Sequence, residues 1–342
     1  MQDALSWASR PTFSPLCLCA ALALAACALY LGGQRSAGTQ SDALLLHPPA
    51  SPAPASALAP ASPPAFKDCV ASRLAFVAPS ATGFVFAQPT RVPSDFVMAL
   101  PSEDWVGKNV RNTGIYAPVE SIIFYTVLGA PARPAGIVVD VGVNIGWFST
   151  LALSLGYSVI GFEPQAQIHP FLHATAALNR SPPSAFRLFQ CALGGTYGHV
   201  GMAATDFWAT SSVASEAEGA PTPRVVLSDM VRQDVALLKV DTEGYERHVF
   251  DGAGPLLRGF SVANIVLEMK TAESRAAIMP LLEQLGYQCF IYTEKYEVAM
   301  DVPPEHEARL ELLQSLLSPC SGDSEDYFFT KDAALAGLLM RR

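Results

Sequence analysis

Beyond Pro134 the chain alternates short apolar runs with longer mixed segments. The runs GIVVDVG, YSVIGFE, FRLFQCAL, VALLKVD, NIVLEM and YQCFIYT are rich in Val and Ile and begin at residues 136, 157, 186, 235, 264 and 287. Strands buried on both faces read as continuous apolar stretches, and crossovers between parallel strands are usually helical. The pattern therefore predicts an α/β domain built on a doubly wound parallel sheet. YFFT at 327–330 supplies a late strand, expected as an antiparallel edge. Before Pro134 the runs are shorter. FVFAQ at 84–88 and ESIIFYTVLG at 120–129 mark a lead-in region, the second run reading as a helix packed on the coming domain.

The N-terminus has a different pattern. Pro11 to Gly33 carries no charge, and Leu16 to Leu31 is almost wholly apolar. A membrane helix needs about 20 apolar residues, so residues 1–35 read as a signal anchor, with a cleaved signal peptide as the rival. Residues 36–65 are dominated by Pro, Ala and Ser, a composition that forms a disordered stem rather than a core. The expected organisation is anchor 1–35, stem 36–65, lead-in 66–134 and catalytic domain 135–342. It implies a single-pass membrane protein of the secretory pathway (Golgi or endoplasmic reticulum), a secreted or organellar protein being the alternative.

Composition narrows the partners. The net charge is −9, without a basic run, which argues against a nucleic-acid partner gripped through its phosphates. Of the seven cysteines, three lie in the apolar N-terminus and no CxxC pair exists, so a zinc site is not expected. Cys191 and Cys289 sit in strand-like runs and read as buried thiols. Cys69 and Cys320 could pair in an oxidising lumen.

The chemistry begins at VVDVGVNIGWFST, residues 138–150. Asp140 closes a strand, Gly142 and Gly146 flank a tight turn, and a helix follows with free N–H groups at its start. The spacing is not the G-x-G-x-x-G of dinucleotide folds. A carboxylate at Asp140 repels a pyrophosphate but suits a ligand bearing an amino group. Glu163, in GFEP at the end of the next strand, stands where an acidic residue accepts ribose hydroxyls.

These motifs, followed by CALGG at 191–195, LLKVDTEGYE at 237–246 and IVLEMK at 265–270, resemble the FkbM family of S-adenosylmethionine-dependent methyltransferases over about residues 110–295. Val143 and Trp147 depart mildly from the family pattern. The resemblance implies a class I methyltransferase fold, a doubly wound, Rossmann-like seven-stranded mixed sheet, and S-adenosylmethionine as cofactor. It places Asp140, Gly142, Asn144 and Gly146 around the methionyl part, Glu163 on the ribose, and Cys191 and Ala192 beside the adenine. Glu120 aligns with an acidic lead-in position that touches cofactor or caps a helix. The acceptor implied is a hydroxyl on a glycan or small metabolite.

An alcohol must lose its proton to accept a methyl group, which calls for a general base or a metal. Lys239, Asp241, Glu243, Glu246 and His248 cluster at the end of the VALLKVD strand, and Glu268 and Lys270 end the next. In one reading Asp241 or Glu243 is the base, with Glu268 and Lys239 as neighbours. In the other these carboxylates hold a divalent cation such as Mg²⁺ or Ca²⁺. A structural alternative pairs Lys239 with Glu268. His248 is a further candidate for a proton relay, His169 and His173 read as a solvated helix face, and Asn179-Arg180-Ser181 is a glycosylation sequon. An oxidoreductase or an inactive scaffold on a similar sheet are the rival functions; the missing dinucleotide motif counts against the first and the intact carboxylates against the second.

Overall fold

In the computed structural model, residues 84–202 and 220–341 are described. They lie within a unit running from Ala61 to Arg342. The expected anchor and stem and Cys69 fall outside the described residues. Among the described residues no helix is long and apolar enough to cross a membrane.

The chain opens with two short paired strands, β1 (Phe84–Ala87) and β2 (Met98–Pro101), and helices α1 (Trp105–Thr113) and α2 (Pro118–Leu128). The alternating core follows as β3 (Ile137–Val141), α3 (Trp147–Ser154), β4 (Val159–Phe162), α4 (His169–Leu178) and β5 (Phe186–Phe189). A three-stranded accessory sheet comes next, from β6 (Ala192–Leu193), β7 (Gly198–Met202) and β8 (Ala220–Val225). After α5 (Leu227–Met230) come β9 (Val235–Val240), α6 (Glu246–Asp251), α7 (Gly254–Gly259), β10 (Asn264–Glu268) and α8 (Ala272–Gln284). The chain closes with β11 (Gln288–Tyr292), α9 (His306–Leu316), β12 (Ser318–Pro319), β13 (Asp326–Thr330) and α10 (Ala333–Leu339).

The main sheet runs β12-β11-β13-β10-β9-β3-β4-β5. Neighbours from β10 through β5 are parallel, and β13 is antiparallel to both β10 and β11. Two expectations are corrected here. The late strand β13 is not an edge: it inserts between β10 and β11, because Tyr327, Phe328 and Phe329 are all buried and need cover on both faces. The sheet has eight strands rather than seven, since β12 adds two residues beside β11. A disulfide joins Cys289 of β11 to Cys320, just beyond β12, with Cα atoms 5.5 Å apart. Cys289 is thus not a thiol, and the partner of Cys320 is not Cys69. The run FRLFQCAL also divides, β5 staying in the main sheet and β6 pairing with β8.

Successive strand residues face opposite sides, and the two core clusters follow that alternation. Val138, Leu237, Val266 and Phe328 pack on one side with Ile122, Phe124 and Leu151; Val139, Leu238, Ile265 and Phe329 pack on the other with Leu256 and Leu282. All residues of α2 are buried, as a mostly apolar helix requires, and its polar Glu120, Ser121 and Thr126 are hydrogen-bonded. Helix α9 covers it. The chain leaves β3 toward β4 on one side, while β9 flanks β3 on the other. That reversal opens a crevice at the carboxyl ends of the strands, where open α/β sheets bind ligands.

Candidate functional site

A cavity of about 510 Å³ occupies this crevice. One end is built on β3, β4 and the β5–β6 link. Gly142, Asn144, Phe162, Glu163, Cys191 and Ala192 line it, and all but Phe162 are among the residues expected to hold the cofactor. The turn after β3 forces Asn144 to a positive φ of 50°, and its backbone N–H donates to Glu163 Oε2 at 2.8 Å. Glu163 Oε1 accepts from the Gln165 N–H at 2.9 Å. These bonds aim a buried carboxylate into the cavity. Burial pushes its pKa up to about 7, against the lowering effect of the two N–H donors. Asn144 Oδ1 is buried and accepts no hydrogen bond, an orphaned acceptor that a ligand with N–H or O–H groups would satisfy. The residues present fit the amino acid and ribose parts of S-adenosylmethionine, and the apolar Phe162, Cys191 and Leu193 fit a purine.

Two expected contacts lie behind this wall. Asp140 is fully buried and does not line the cavity; its Oδ2 accepts from Ser149 Oγ at 2.6 Å and its Oδ1 has no partner. Burial raises its pKa, with Lys239 opposing. Gly146 likewise does not line the cavity but starts α3, where its φ of 85° and the Leu172 side chain 2.5 Å from an added Cβ call for glycine. Gly142 lines the cavity, yet its lack of a side chain serves the sheet. At φ 82°, a Cβ there would collide with the carbonyl of Asp241.

The opposite end carries the carboxylates. Asp241, Glu243 and Glu268 reach it from the ends of β9 and β10, and each places one oxygen within 4.8 Å of the others. Lys239, deeply buried in β9, does not line the cavity; its Nζ donates to Asp241 Oδ2 at 3.1 Å. This replaces the Lys239–Glu268 pair considered from sequence. Glu268 instead lies 3.6 Å from Lys270, which also pairs with Glu243. Burial alone would raise the Asp241 pKa, but the Lys239 ammonium and a hydrogen bond with Glu268 hold it below the usual aspartate value. Glu268 is pushed up to about 10 by burial and by the Asp241 charge. Glu243 is raised by burial, with Lys270 opposing. At neutral pH the pair is therefore an ionised Asp241 beside a protonated Glu268.

Glu246 is structural: its Oε1 accepts from Gly244 N–H at 2.7 Å and from Thr242 N–H and Oγ1, fixing the turn after β9. His248 is exposed and faces Asp251 at 3.7 Å, outside the cavity. The expected solvated His169 is buried instead, its Nε2 bonded to the Glu163 carbonyl at 2.7 Å. Glu120 is buried away from the cavity and accepts from the Tyr292 hydroxyl at 3.0 Å. Asn179 spends its side-chain amide on Val97 N–H, Val97 carbonyl and Thr175 carbonyl, so glycosylation at this sequon would break the link between α4 and the lead-in.

Sequence reasoning missed the aromatic wall of the same end. Trp105, Tyr116 and Tyr296 line it, with ring centroids 5.4 to 6.2 Å apart. Trp105 is set by the Asp104 cap, whose carboxylate accepts from Gly107 N–H at 2.8 Å. Tyr116 and Tyr296 are brought together by Glu294, which accepts from Val119 and Glu120 N–H at the start of α2 at 3.1 and 2.9 Å, a favourable place for a carboxylate. These residues are distant in sequence and share no motif, so no local signal marked them.

Residues 140–289 match the family model described as the methyltransferase FkbM domain. Among solved structures, the methyltransferase FkbM from Methylobacillus flagellatus KT is similar at 11% identity and a TM-score of 0.35, over 60% of this chain and 47% of that one. The Pyrococcus abyssi tRNA (uracil-54, C5)-methyltransferase, in complex with S-adenosyl-L-homocysteine, aligns at 11% identity and a TM-score of 0.37, over 72% and 44%. The precorrin-6y C5,15-methyltransferase from Geobacter metallireducens GS-15 aligns at 13% identity and a TM-score of 0.32, over 62% and 84%. The chain thus spans less than half the length of the first two. No curated protein gives a significant match.

Proposed function

We propose, from the match of residues 140–289 to the family model described as the methyltransferase FkbM domain, that this protein transfers a methyl group from S-adenosylmethionine to a hydroxyl oxygen of a glycan or small metabolite. The observation that carries the reading is the division of one cavity. Asn144 and Glu163 offer acceptors at one end, and an ionised Asp241 stands at the other.

When bound, S-adenosylmethionine supplies a methyl group on a sulfonium, open to in-line attack. The chain's own residues do the rest. Glu163 would accept hydrogen bonds from the ribose hydroxyls, Asn144 Oδ1 would accept one from the amino group of the methionyl part, and Phe162, Cys191 and Leu193 would wall the base. Asp241 accepts the proton of the acceptor hydroxyl as its oxygen becomes nucleophilic. Lys239 keeps Asp241 ionised until then, and the protonated Glu268 orients it. Glu243 and Lys270 neutralise one another beside the acceptor. The same carboxylates remain the candidate ligands of a divalent cation. The metal-free reading is preferred, because Asp241 and Glu243 already face lysines, which leaves less charge to attract a cation.

We also propose that the N-terminal apolar segment anchors the chain in a membrane of the secretory pathway. The Cys289–Cys320 disulfide supports an oxidising compartment. Calorimetry with S-adenosylmethionine and with NAD tests the main reading. Binding of the first alone, followed by methyl transfer onto a glycan panel, is the expected result; binding of NAD alone would return the oxidoreductase, and cofactor binding without transfer to any acceptor the inactive scaffold.

A further inference from the structure

We propose that Trp147 and Ser121 are positioning residues that couple the two ends of the cavity, so that a cofactor seated on the turn after β3 firms the aromatic wall at the far end. The proposal rests on the methyltransferase reading above and adds a link between cofactor occupancy and the wall.

The link is a continuous hydrogen-bonded path. Trp147 opens α3 directly after the turn, and its indole Nε1–H donates to Ser121 Oγ on α2 at 2.9 Å. The Ser121 hydroxyl donates in turn to the Tyr116 carbonyl at 2.8 Å, and Tyr116 is part of the wall. The indole also meets the Tyr116 ring edge to face, with centroids 6.3 Å apart. The Tyr296 side of the wall is fastened to the same first turn of α2, through Glu294 and the Val119 and Glu120 N–H groups. A shift of that turn therefore carries both tyrosines. The path also joins the matched domain to the segments around it: Trp147 lies within residues 140–289, while Ser121, Tyr116 and Tyr296 lie outside.

Packing alone does not call for these polar groups. Trp147 and Ser121 are 1% and 0% exposed, beside a core of Ile122, Phe124 and Leu151, where apolar side chains would leave no polar atom to satisfy. A buried hydrogen bond adds little net stability but fixes one geometry. Backbone strain sits at both ends of the path. Asn144, just before Trp147 in the turn, and Ala117, between Tyr116 and α2, adopt left-handed φ values of 50° and 41°. Residues other than glycine keep that conformation only where their surroundings enforce it, and they gather at ligand clamps and switch regions. Asn144 lines the cofactor end, where its buried Oδ1 lacks a partner. A ligand donor to that oxygen would fix the turn, and with it the start of α3 and the indole.

The test is hydrogen exchange read by mass spectrometry on the full-length protein, with and without saturating S-adenosylhomocysteine. In the wild type the ligand should slow exchange in peptides covering Tyr116 and Tyr296 by about fivefold or more, the low end of ordinary coupling between sites. Trp147→Phe removes the donor and Ser121→Ala the hydroxyl, so each should reduce that slowing to less than about twofold. Because both break one path, the double variant should lose no more than either alone. Affinity for S-adenosylhomocysteine within about threefold of wild type, with unchanged exchange in α8, shows that a variant folds; Ser121→Ala, the milder change, decides by itself if Trp147→Phe does not. Wild-type protein that binds S-adenosylhomocysteine without slowing these peptides overturns the proposal. So does full slowing in the folded variants, which would mean that the ligand reaches the wall directly. Failure of S-adenosylhomocysteine to bind the wild type would overturn the methyltransferase reading and this inference with it.

Discussion

Glu163 gives a prediction that can be measured without knowing the acceptor. Its carboxyl is buried, and burial places its pKa at about 7 in the ligand-free protein. To accept two ribose hydroxyls it must be ionised, and those donors then lower its pKa in the complex. Affinity for S-adenosylhomocysteine should consequently fall as pH drops through 7. If the bound carboxylate stays ionised to pH 5, linkage makes the dissociation constant about tenfold larger at pH 6 and about hundredfold larger at pH 5 than at pH 8. The same shift acts oppositely on the unliganded fold. A carboxyl whose folded pKa exceeds its unfolded value of 4.5 contributes stability that is complete below about 4.5 and lost as pH rises toward 7, here ~3 kcal/mol. The thermal shift caused by ligand should therefore grow between pH 6 and pH 8. Calorimetry in buffers of different ionisation enthalpy would count the released proton. Glu163→Gln should abolish the pH dependence and bind weakly throughout. Glu294 also titrates at about 7, but it caps α2 outside the cavity, so an unchanged slope in Glu163→Gln would refute the assignment of the ribose contact.

Three further outcomes follow from the geometry. Asp241→Asn should lower turnover by about 10²-fold or more, the range for loss of a general base, while cofactor affinity holds; wild-type turnover would exclude Asp241 as base or metal ligand. Loss of wild-type activity on chelation, with recovery on Mg²⁺, would instead favour the cation site. Gly142→Val should destabilise the protein by at least ~2 kcal/mol in a denaturant titration, because a β-branched residue is forced to positive φ and onto the Asp241 carbonyl; a fold of unchanged stability with lost cofactor binding would mean that ligand approach sets this glycine. Cys320→Ser should cost about 3–4 kcal/mol, the chain-entropy value for a loop of this separation, read as a lower melting temperature that reductant reproduces in the wild type.

The sequence by itself determined the alternating core, the glycine turn after β3 and the carboxylate-rich strand ends. Each is a local matter. Strand period, a glycine at positive φ and an acidic residue closing a strand are written within a few residues, and the order of those segments dictates which ends meet at the crevice. The fully buried run of β9 is legible for the same reason, and Lys239 stands out in it as a charge needing a partner. What the sequence could not decide was which partner. Asp140, Lys239 and Gly146 belong to motifs that reach the cavity, yet side-chain direction on adjacent strands turns the first two into the core and helix packing confines the third. The aromatic wall, the insertion of β13 between β10 and β11, and the Cys289–Cys320 pairing depend on segments tens to hundreds of residues apart. Their energies come from burial and pairing across the sheet, and no local pattern records them. The pKa values divide in the same way. A carboxylate's ordinary value is a property of its residue type, while the ionised Asp241 and the protonated Glu268 arise because folding places them together with Lys239 where water is largely excluded.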